Sequence, residues 1–287
     1  MFSEVALQQM PEKLQQLCKI LQHASTLLAD EYALYQQGKQ FHIEKKQDNS
    51  PVTQADLKVH AYMCVHLGQL SPHAPILSEE GEQHAERLQW RQFWMLDPLD
   101  GTKEFIHQTG EFTINLSWID GGESVISAIA VPLKQTIYIS EKGDTPFRWQ
   151  WQSDVVTLAK FEHIDRDTTM MRIAMSRRPE RSSLYAAFLQ YLTEQQIRYE
   201  KVAAGSAYKF CMMLESEIDI YPRFHPTSEW DTAAGQGLLQ SIGGDVFDLR
   251  HRPFQYNQRA DVLNGHFIAL RRVQDWQYFA DFFSLNC

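Results

Sequence analysis

The sequence predicts a mixed α and β protein with two layered halves, and two observations support this fold class. In the first half, two helix-like segments are followed by several short apolar runs, an order typical of an α+β unit. In the second half, strand-like and helix-like segments alternate, which is typical of an α/β sheet. We therefore expect one half at residues 1–155 and the other at 156–287.

Two helices are predicted near the start of the chain. Leucines recur at helical spacing between residues 11 and 36, which predicts an amphipathic helix that ends near Gly38. Thr53 is followed three residues later by Asp56, a pair that resembles a capping box. A second helix is therefore expected from this pair to about Leu70.

Strands and further helices follow. Two apolar runs, 112–119 and 124–131, flank Gly121-Gly122 and predict a hairpin. The stretch 149–167 lacks periodicity and is expected to connect the halves. The remaining predicted elements are strands at 137–140, 171–176, 198–202 and 218–221 and helices at 179–193, 208–215 and 231–241.

Composition narrows the class of protein. The 287 residues are enough for a large core, and the hydrophobic content of 44% is that of an ordinary globular protein. A net charge of −9 argues against a nucleic-acid polymer as partner. The four cysteines are scattered and predict incidental thiols. No signal peptide and no transmembrane run is evident, so we expect a soluble protein.

Acidic residues stand at the ends of two short apolar runs. Ile76-Leu77 leads into Glu79, and residues 93–96 lead into Asp97. Carboxylates at the ends of buried strands repel one another and cost stability unless a cation lies between them. A set of oxygen ligands without His or Cys favours a hard divalent ion, magnesium before zinc. The sequence therefore predicts a magnesium site.

The hexapeptide 97–102 has the composition of a turn. Pro98 is expected to end the strand, so that the two aspartates come to one side and the Leu99 carbonyl is free to bind a metal. Gly101 allows a close approach of the backbone to a ligand, and Thr102 is able to cap a helix that would bind phosphate. The alternative is an ordinary turn without function.

Other motifs favour the functional reading. They are residues 46–56, 205–210, 219–224 and 227–235. In this order and spacing they resemble the inositol monophosphatase superfamily of magnesium-dependent, lithium-sensitive phosphatases. Residues 50–53 and 221–224 are similar to its bacterial 3′(2′),5′-bisphosphate nucleotidase branch. The resemblance covers about residues 46–245 and implies a layered αβαβα sandwich with the acidic cluster at the junction of the halves.

The resemblance also implies a metal site and a catalytic pair. Two magnesium ions are expected, with a third left open, and their ligands would be Glu79, Asp97, the Leu99 carbonyl, Asp100 and Asp231.

Thr102 would orient the attacking water with Glu79 as its partner, while the metal lowers the pKa of that water. A pure helix cap is the alternative for Thr102. Asp56 would hold a third metal or help to activate water, or would serve only in the capping box.

A second phosphate on the substrate requires fixed cations. Lys209 and Arg223, together with Ser206, are the residues that the resemblance assigns to it. The implied substrate-binding set is Glu79, Leu99, Asp100, Gly101, Thr102, Ser206, Lys209, Arg223 and Asp231.

Two positions depart from the nucleotidase pattern. Residues 176–179 read Ser-Arg-Arg-Pro, so Pro179 replaces a histidine that lies near the adenine in that branch. His225 stands where glycine is common. Recognition of the base is the property that these changes affect, and Arg178 or His225 is an alternative stacking surface.

The implied activity is hydrolysis of the 3′-phosphate of adenosine 3′,5′-bisphosphate to AMP and phosphate, a recycling step of sulfate assimilation, with the sulfated nucleotide left open. One alternative is an inositol or other sugar monophosphatase on the same metal site. Another is a nucleotide sensor without catalysis. The implied location is cytoplasmic, with peripheral contact at the inner membrane and the oligomeric state left open.

Overall fold

A computed structural model describes residues 7–39, 41–45, 51–82, 85–152, 155–158, 170–175 and 182–286. Its helices are α1 Glu12–Gln36, α2 Gln54–Leu70, α3 Thr102–Ile106, α4 Ser183–Glu194, α5 Tyr208–Leu214, α6 Glu229–Gln240 and α7 Ala280–Asn286. Short 3₁₀ helices lie at Ala85–Gln89, Pro132–Lys134 and Val273–Tyr278. The strands are β1 Ile43–Lys45, β2 Pro51–Thr53, β3 Ile76–Ser78, β4 Gln92–Asp100, β5 Thr113–Asp120, β6 Glu123–Val131, β7 Thr136–Glu141, β8 Phe147–Gln150, β9 Val155–Leu158, β10 Met171–Met175, β11 Tyr199–Ala203, β12 Ile220–Arg223, β13 Thr227–Ser228, β14 Asp245–Asp248, β15 Leu263–Asn264 and β16 Phe267–Leu270.

Two sheets form the framework. The first has the strand order β3-β4-β5-β6-β7-β8-β9, in which β3 and β4 are parallel and the later neighbours are antiparallel. The second has the order β11-β10-β12-β16-β14, with parallel pairs around β10 and antiparallel pairs around β16. The strands β1-β2 and β13-β15 form two small antiparallel ribbons.

Helices cover both faces of each sheet, and buried clusters of hydrophobic side chains join the layers. The first cluster packs α1 and α2 on one face of the first sheet. The second packs α5 and α6 between the sheets, and the third packs α4 and α7 on the outer face of the second sheet. The predicted αβαβα sandwich is therefore confirmed. Typical members are Leu21, Val59 and Ile126 in the first cluster, Ile129, Leu238 and Phe267 in the second, and Phe188, Ile268 and Phe283 in the third.

The predictions for the first half are largely confirmed. The first helix begins at Glu12 and ends at Gln36. The second begins after Thr53, whose hydroxyl accepts the Asp56 amide while the Asp56 carboxylate accepts the Thr53 amide, so the capping box is present. The hairpin is also present as β5 and β6.

One prediction for the first half is wrong. The stretch 149–167 was expected to be a connector, yet β8 and β9 add two antiparallel strands to the first sheet. Phe147 and Trp149 point into the core while Arg148 and Gln150 are partly exposed, an alternation that is too short to stand out in the sequence.

The second half also holds elements that the sequence did not predict, namely β13, β14, β15, β16 and α7. The predicted helix at 179–193 begins at Ser183 within the described residues, and residues 176–181 lie outside them. Cys18, Cys64 and Cys211 are free thiols, while Cys287 lies outside the described residues. The division at residue 155 stays a prediction. In the described part of the chain, the helices are too short or too polar to cross a membrane.

Helix α6 belongs to the second half but lies directly on the first sheet. A Cβ atom at Gly237 would overlap the Ser127 hydroxyl of β6, and one at Gly235 would overlap the ring of Phe210 in α5. The helix reaches this distance because both positions lack a side chain. This close packing fixes the position of α6 on the first sheet.

We expect Gly237→Ala to lower the free energy of unfolding by about 1–3 kcal/mol, because the added methyl group overpacks the contact between α6 and β6. Gly68→Ala in α2 is the matched control, since no atom lies within 4 Å of a Cβ there. It should raise the free energy of unfolding by about 0.4–1 kcal/mol. Urea titration followed by circular dichroism measures both. A Gly237→Ala variant as stable as the control would contradict the close packing of α6.

Candidate active site

Three aspartates from the two halves meet between the sheets. Asp97 and Asp100 belong to β4, and Asp231 lies in the first turn of α6. Each offers a carboxylate oxygen, and these oxygens lie within 4.8 Å of one another. Asp97 is buried, and the other two are partly buried. Three carboxylates at this separation could hold a metal ion.

A β-bulge places the two aspartates of β4 together. The prediction that the strand ends at Pro98 is wrong, because β4 continues to Asp100. Its register against β5 shifts between Asp97 and Asp100. Residues three apart on a regular strand point to opposite faces, and an irregularity of this kind removes that alternation. The Asp97 carboxylate accepts the Leu99 amide at 3.0 Å, which closes the bulge.

Glu79 completes the acidic cluster from the neighbouring strand. It follows β3 directly, and its amide donates to the Leu96 carbonyl of β4 at 3.1 Å. Its side chain shares a hydrogen bond with Asp97. The parallel pairing of β3 with β4 therefore brings Glu79 to the same edge as the aspartates.

Burial and mutual repulsion make the cluster favour protons or cations. Burial, followed by the charges of Glu79, Asp100 and Asp231, raises the pKa of Asp97 well above its usual range. The pKa of Asp231 is raised well above its usual range by burial, then by Asp100 and Glu79. Burial also raises the pKa of Asp100, although the Lys209 charge opposes this. An all-oxygen donor set with excess negative charge fits a hard divalent cation.

Asp56 and Thr102 form a second polar group beside the cluster. The Thr102 hydroxyl lies 3.3 Å from Asp56 Oδ1 and 3.3 Å from the Leu99 carbonyl oxygen. Asp56 Oδ2 accepts the Thr53 amide at 2.8 Å and the Thr53 hydroxyl at 2.6 Å. Burial raises the pKa of Asp56 to about 7. The hydrogen bonds from Thr53 oppose this rise, and the charges of Glu80 and Glu79 add to it.

This arrangement bears on two expectations for Thr102. Thr102 contacts Asp56, and its expected joint role with Glu79 at the attacking water stays a prediction. The N-cap of α3 is Gly101, at a φ of 91°, so the alternative role of Thr102 as a cap is wrong.

A cleft of about 700 Å³ opens from the aspartates. Asp100 and Asp231 line it, and so do the predicted substrate residues Ser206, Lys209 and Arg223. Its lining also includes His225, whereas residues 176–179 with Arg178 and Pro179 lie outside the described residues. The structure therefore brings an acidic end and a basic wall into one cavity.

Lys209 and Arg223 are only partly compensated by protein partners. The Lys209 ammonium is buried, donates to the Ser206 carbonyl at 2.9 Å and lies 4.9 Å from the Tyr221 ring centroid. Burial and the nearby Arg223 lower the pKa of Lys209 to about 8. Arg223 Nε is buried and has no hydrogen-bond partner among the described residues. An unmatched buried donor costs about 1–3 kcal/mol, which an anionic ligand would recover.

Several residues of the site were not predicted. The side-chain amide of Asn115 donates to Asp100 Oδ2 at 3.2 Å, and the backbone amide of Ala207 donates to the same oxygen at 2.5 Å. A polar residue between the apolar Ile114 and Leu116 was a signal for the first of these. The second comes from a loop more than a hundred positions away, and the sequence holds no local signal for it.

The chain matches the inositol monophosphatase family over residues 10–276 and belongs to that family. Enzymes of this family are metal-dependent, in agreement with the carboxylate cluster. The resemblance expected from the motifs is thereby confirmed.

Several relatives within the family carry the name of a nucleotidase. The chain is 35% identical over 255 residues to the 3′(2′),5′-bisphosphate nucleotidase CysQ of Shigella flexneri, covering 88% of this chain and 98% of that protein. It is 32% identical to the CysQ of Haemophilus influenzae, covering 83% of this chain and 87% of that protein. The crystal structure of CysQ from Bacteroides thetaiotaomicron matches with a TM-score of 0.73 at 29% identity, covering 91% of this chain and 98% of that chain.

We expect Asp97→Asn to raise the melting temperature of the metal-free protein at neutral pH. The pKa of Asp97 is raised in the folded state, so the folded protein keeps this proton to a higher pH than the unfolded chain. At pH values above the ordinary pKa of a carboxyl group, the unfolded chain releases this proton more readily than the folded protein, and the folded protein is less stable for that reason. The advantage of the variant should therefore shrink as the pH falls toward that ordinary pKa. A gain of several degrees is expected, since about 1 kcal/mol shifts the melting temperature by about 2–4 °C at this chain length.

Thermal unfolding at several pH values, with and without magnesium, measures this effect. Magnesium should raise the melting temperature of the wild type more than that of the variant. Asp120→Asn is the control, because Asp120 is paired with Arg91 at the surface and its pKa is lowered. An Asp97→Asn variant that melts below the wild type without metal at neutral pH would contradict the repulsive cluster.

Proposed function

We propose that this chain is a magnesium-dependent 3′(2′),5′-bisphosphate nucleotidase that hydrolyses the 3′-phosphate of adenosine 3′,5′-bisphosphate to AMP and phosphate. The observation that carries the proposal is the shared cleft: Asp100 and Asp231 line one end, and Lys209 and Arg223 line its wall. A monophosphatase needs only the acidic end. A substrate with two phosphates needs both.

Two magnesium ions would be held by Glu79, Asp97, Asp100, Asp231 and the Leu99 carbonyl. Asp56 would hold a third ion or help to activate water. When bound, magnesium would neutralise the transferred phosphate and lower the pKa of the attacking water. The carboxylates hold this position because they are fixed before any ion arrives: Asp100 by Asn115 and Asp231 by the Ser228 amide at 2.8 Å. Carboxylates that are already held in place lose little conformational freedom when they bind the cation.

Thr102 and Asp56 would handle the proton of the attacking water. When the Thr102 hydroxyl donates to Asp56, its oxygen lone pairs are free to accept from a water and so to orient it. Asp56 is itself held by Thr53, which leaves Oδ1 directed at Thr102. A pKa of about 7 lets Asp56 accept a proton near neutral pH.

Lys209 and Arg223 would bind the phosphate that is not hydrolysed. Arg223 offers an unmatched Nε, and Lys209 offers a buried positive charge. Hydrogen bonds from fixed cations to phosphate are stronger than neutral ones and select for the second charge. These residues would set the choice of substrate, and the acidic end would perform the reaction.

Phosphate release from three compounds tests the function: adenosine 3′,5′-bisphosphate, its sulfated counterpart and inositol 1-phosphate, each with saturating magnesium. We expect kcat/KM for the bisphosphate to exceed that for inositol 1-phosphate by at least about tenfold, which corresponds to one charged contact. The reverse preference would identify a sugar monophosphatase. Binding without any turnover would identify a nucleotide sensor.

We expect Lys209→Ala and Arg223→Ala each to raise KM for the bisphosphate about ten- to hundredfold, because each removes a charged hydrogen bond of about 1.5–3 kcal/mol. Hydrolysis of inositol 1-phosphate should change little, since that substrate lacks the second phosphate. Steady-state kinetics on both substrates measures the difference. Arg91→Ala is the matched control at an exposed arginine. Equal losses on both substrates would show that Lys209 and Arg223 support the fold instead.

We expect Thr102→Val to lower kcat by about 10²–10⁴, the usual contribution of general acid–base groups, with KM little changed. Thr102→Ser retains the hydroxyl and should stay within about tenfold of wild type on the same grounds. Asp56→Asn should resemble Thr102→Val, and the double variant should lose no more than either one, because the two residues act as a unit. Additive losses in this double-mutant cycle would separate Asp56 from Thr102 and refute the pair.

A further inference from the structure

Glu111 joins the two halves beside the cleft. It precedes β5 in the first half, and its Oε2 accepts the Gly205 amide of the second half at 2.8 Å. Gly205 begins the short segment 205–207 that leads into α5. A negatively charged acceptor makes this a stronger contact than a neutral hydrogen bond.

The segment 205–207 is held in one conformation. Ser206 has a φ of 46°, in the left-handed region that non-glycine residues adopt only when their surroundings impose it. A Cβ atom at Gly205 would lie 2.5 Å from Glu104 Cγ, and one at Gly101 would lie 3.1 Å from Ser206 Cβ and 3.0 Å from the Glu111 carbonyl. The segment therefore fits closely against the turn that carries the aspartates.

Two groups of the site depend on this segment. The Ala207 amide donates to Asp100 Oδ2 at 2.5 Å, and the Ser206 carbonyl accepts the Lys209 ammonium at 2.9 Å. One contact orients a carboxylate of the acidic cluster. The other orients a cation of the cleft wall.

We propose that Glu111 is a positioning residue for both ends of the cleft. By holding the Gly205 amide it fixes the segment 205–207, and through that segment it aims the Asp100 carboxylate at the cation site and the Lys209 ammonium at the substrate. The Lys209 part rests on the proposed function. The Asp100 part depends only on the metal site.

Calorimetric titration with magnesium, and separately with AMP as the ligand that carries the retained phosphate, tests the proposal. We expect Glu111→Ala to raise the Kd for magnesium and the Kd for AMP about tenfold each, the loss typical of a charged hydrogen bond. Glu111→Gln still offers an oxygen to the Gly205 amide and should keep both within about threefold. Glu123→Ala, at an exposed glutamate paired with Lys142, is the control and should match the wild type.

A second variant tests the same segment without altering Glu111. Gly205→Ala places a methyl group 2.5 Å from Glu104 Cγ, so Gly205 or the Glu104 side chain must give way. We expect the segment to shift and both affinities to fall as in Glu111→Ala. This variant also decides the case if Glu111→Ala fails to fold. Wild-type affinities in Gly205→Ala, or equal losses in Glu111→Gln and Glu111→Ala, would overturn the proposal. A wild type that binds magnesium but not AMP would overturn the nucleotide function and leave the Asp100 part to the magnesium titration.

Discussion

The repulsion among buried carboxylates at the junction of the two sheets is the constraint on which the site depends. Asp97, Asp100 and Asp231 place oxygen atoms within 4.8 Å of one another, and Glu79 adds a further charge beside Asp97. Such an arrangement is unfavourable in the folded protein alone, because burial and like charges both disfavour ionisation. It would become favourable on binding of divalent cations, so the proposed site would link stability and function through the same four side chains.

The fold supplies the rigidity that holds these charges together. Helix α6 carries Asp231, and its glycine face lets it lie directly on the first sheet, where Gly237 meets Ser127. The bulge in β4 brings Asp97 and Asp100 to one side. A helix packed on a sheet and a strand within that sheet shift little, so the cation site is largely formed before a ligand binds.

Charge balance explains how an acidic protein would bind a doubly phosphorylated substrate. The chain carries a formal charge of −9, and the cluster adds to the local negative potential. Cations at the cluster would offset the first phosphate, and Lys209 and Arg223 would offset the second. Burial lowers the pKa of Lys209 to about 8, yet Asp100 and the other nearby acids keep it from falling further. The acidic and basic ends of the cleft therefore stabilise each other.

The sequence by itself determined the helices of the first half and the capping box of Thr53 and Asp56, because these depend on local spacing and residue chemistry. The acidic ligands implied by the family resemblance stay a prediction, which the meeting of Asp97, Asp100 and Asp231 supports. The sequence did not determine that β4 passes through Pro98, since a bulge is set by the partner strand. The contact of Thr102 with Asp56 and that of Ala207 with Asp100 join residues 46 and 107 positions apart. Only the tertiary structure decided them, because hydrogen bonds at such separations are fixed by how sheets and helices pack and leave no periodic signal in the chain.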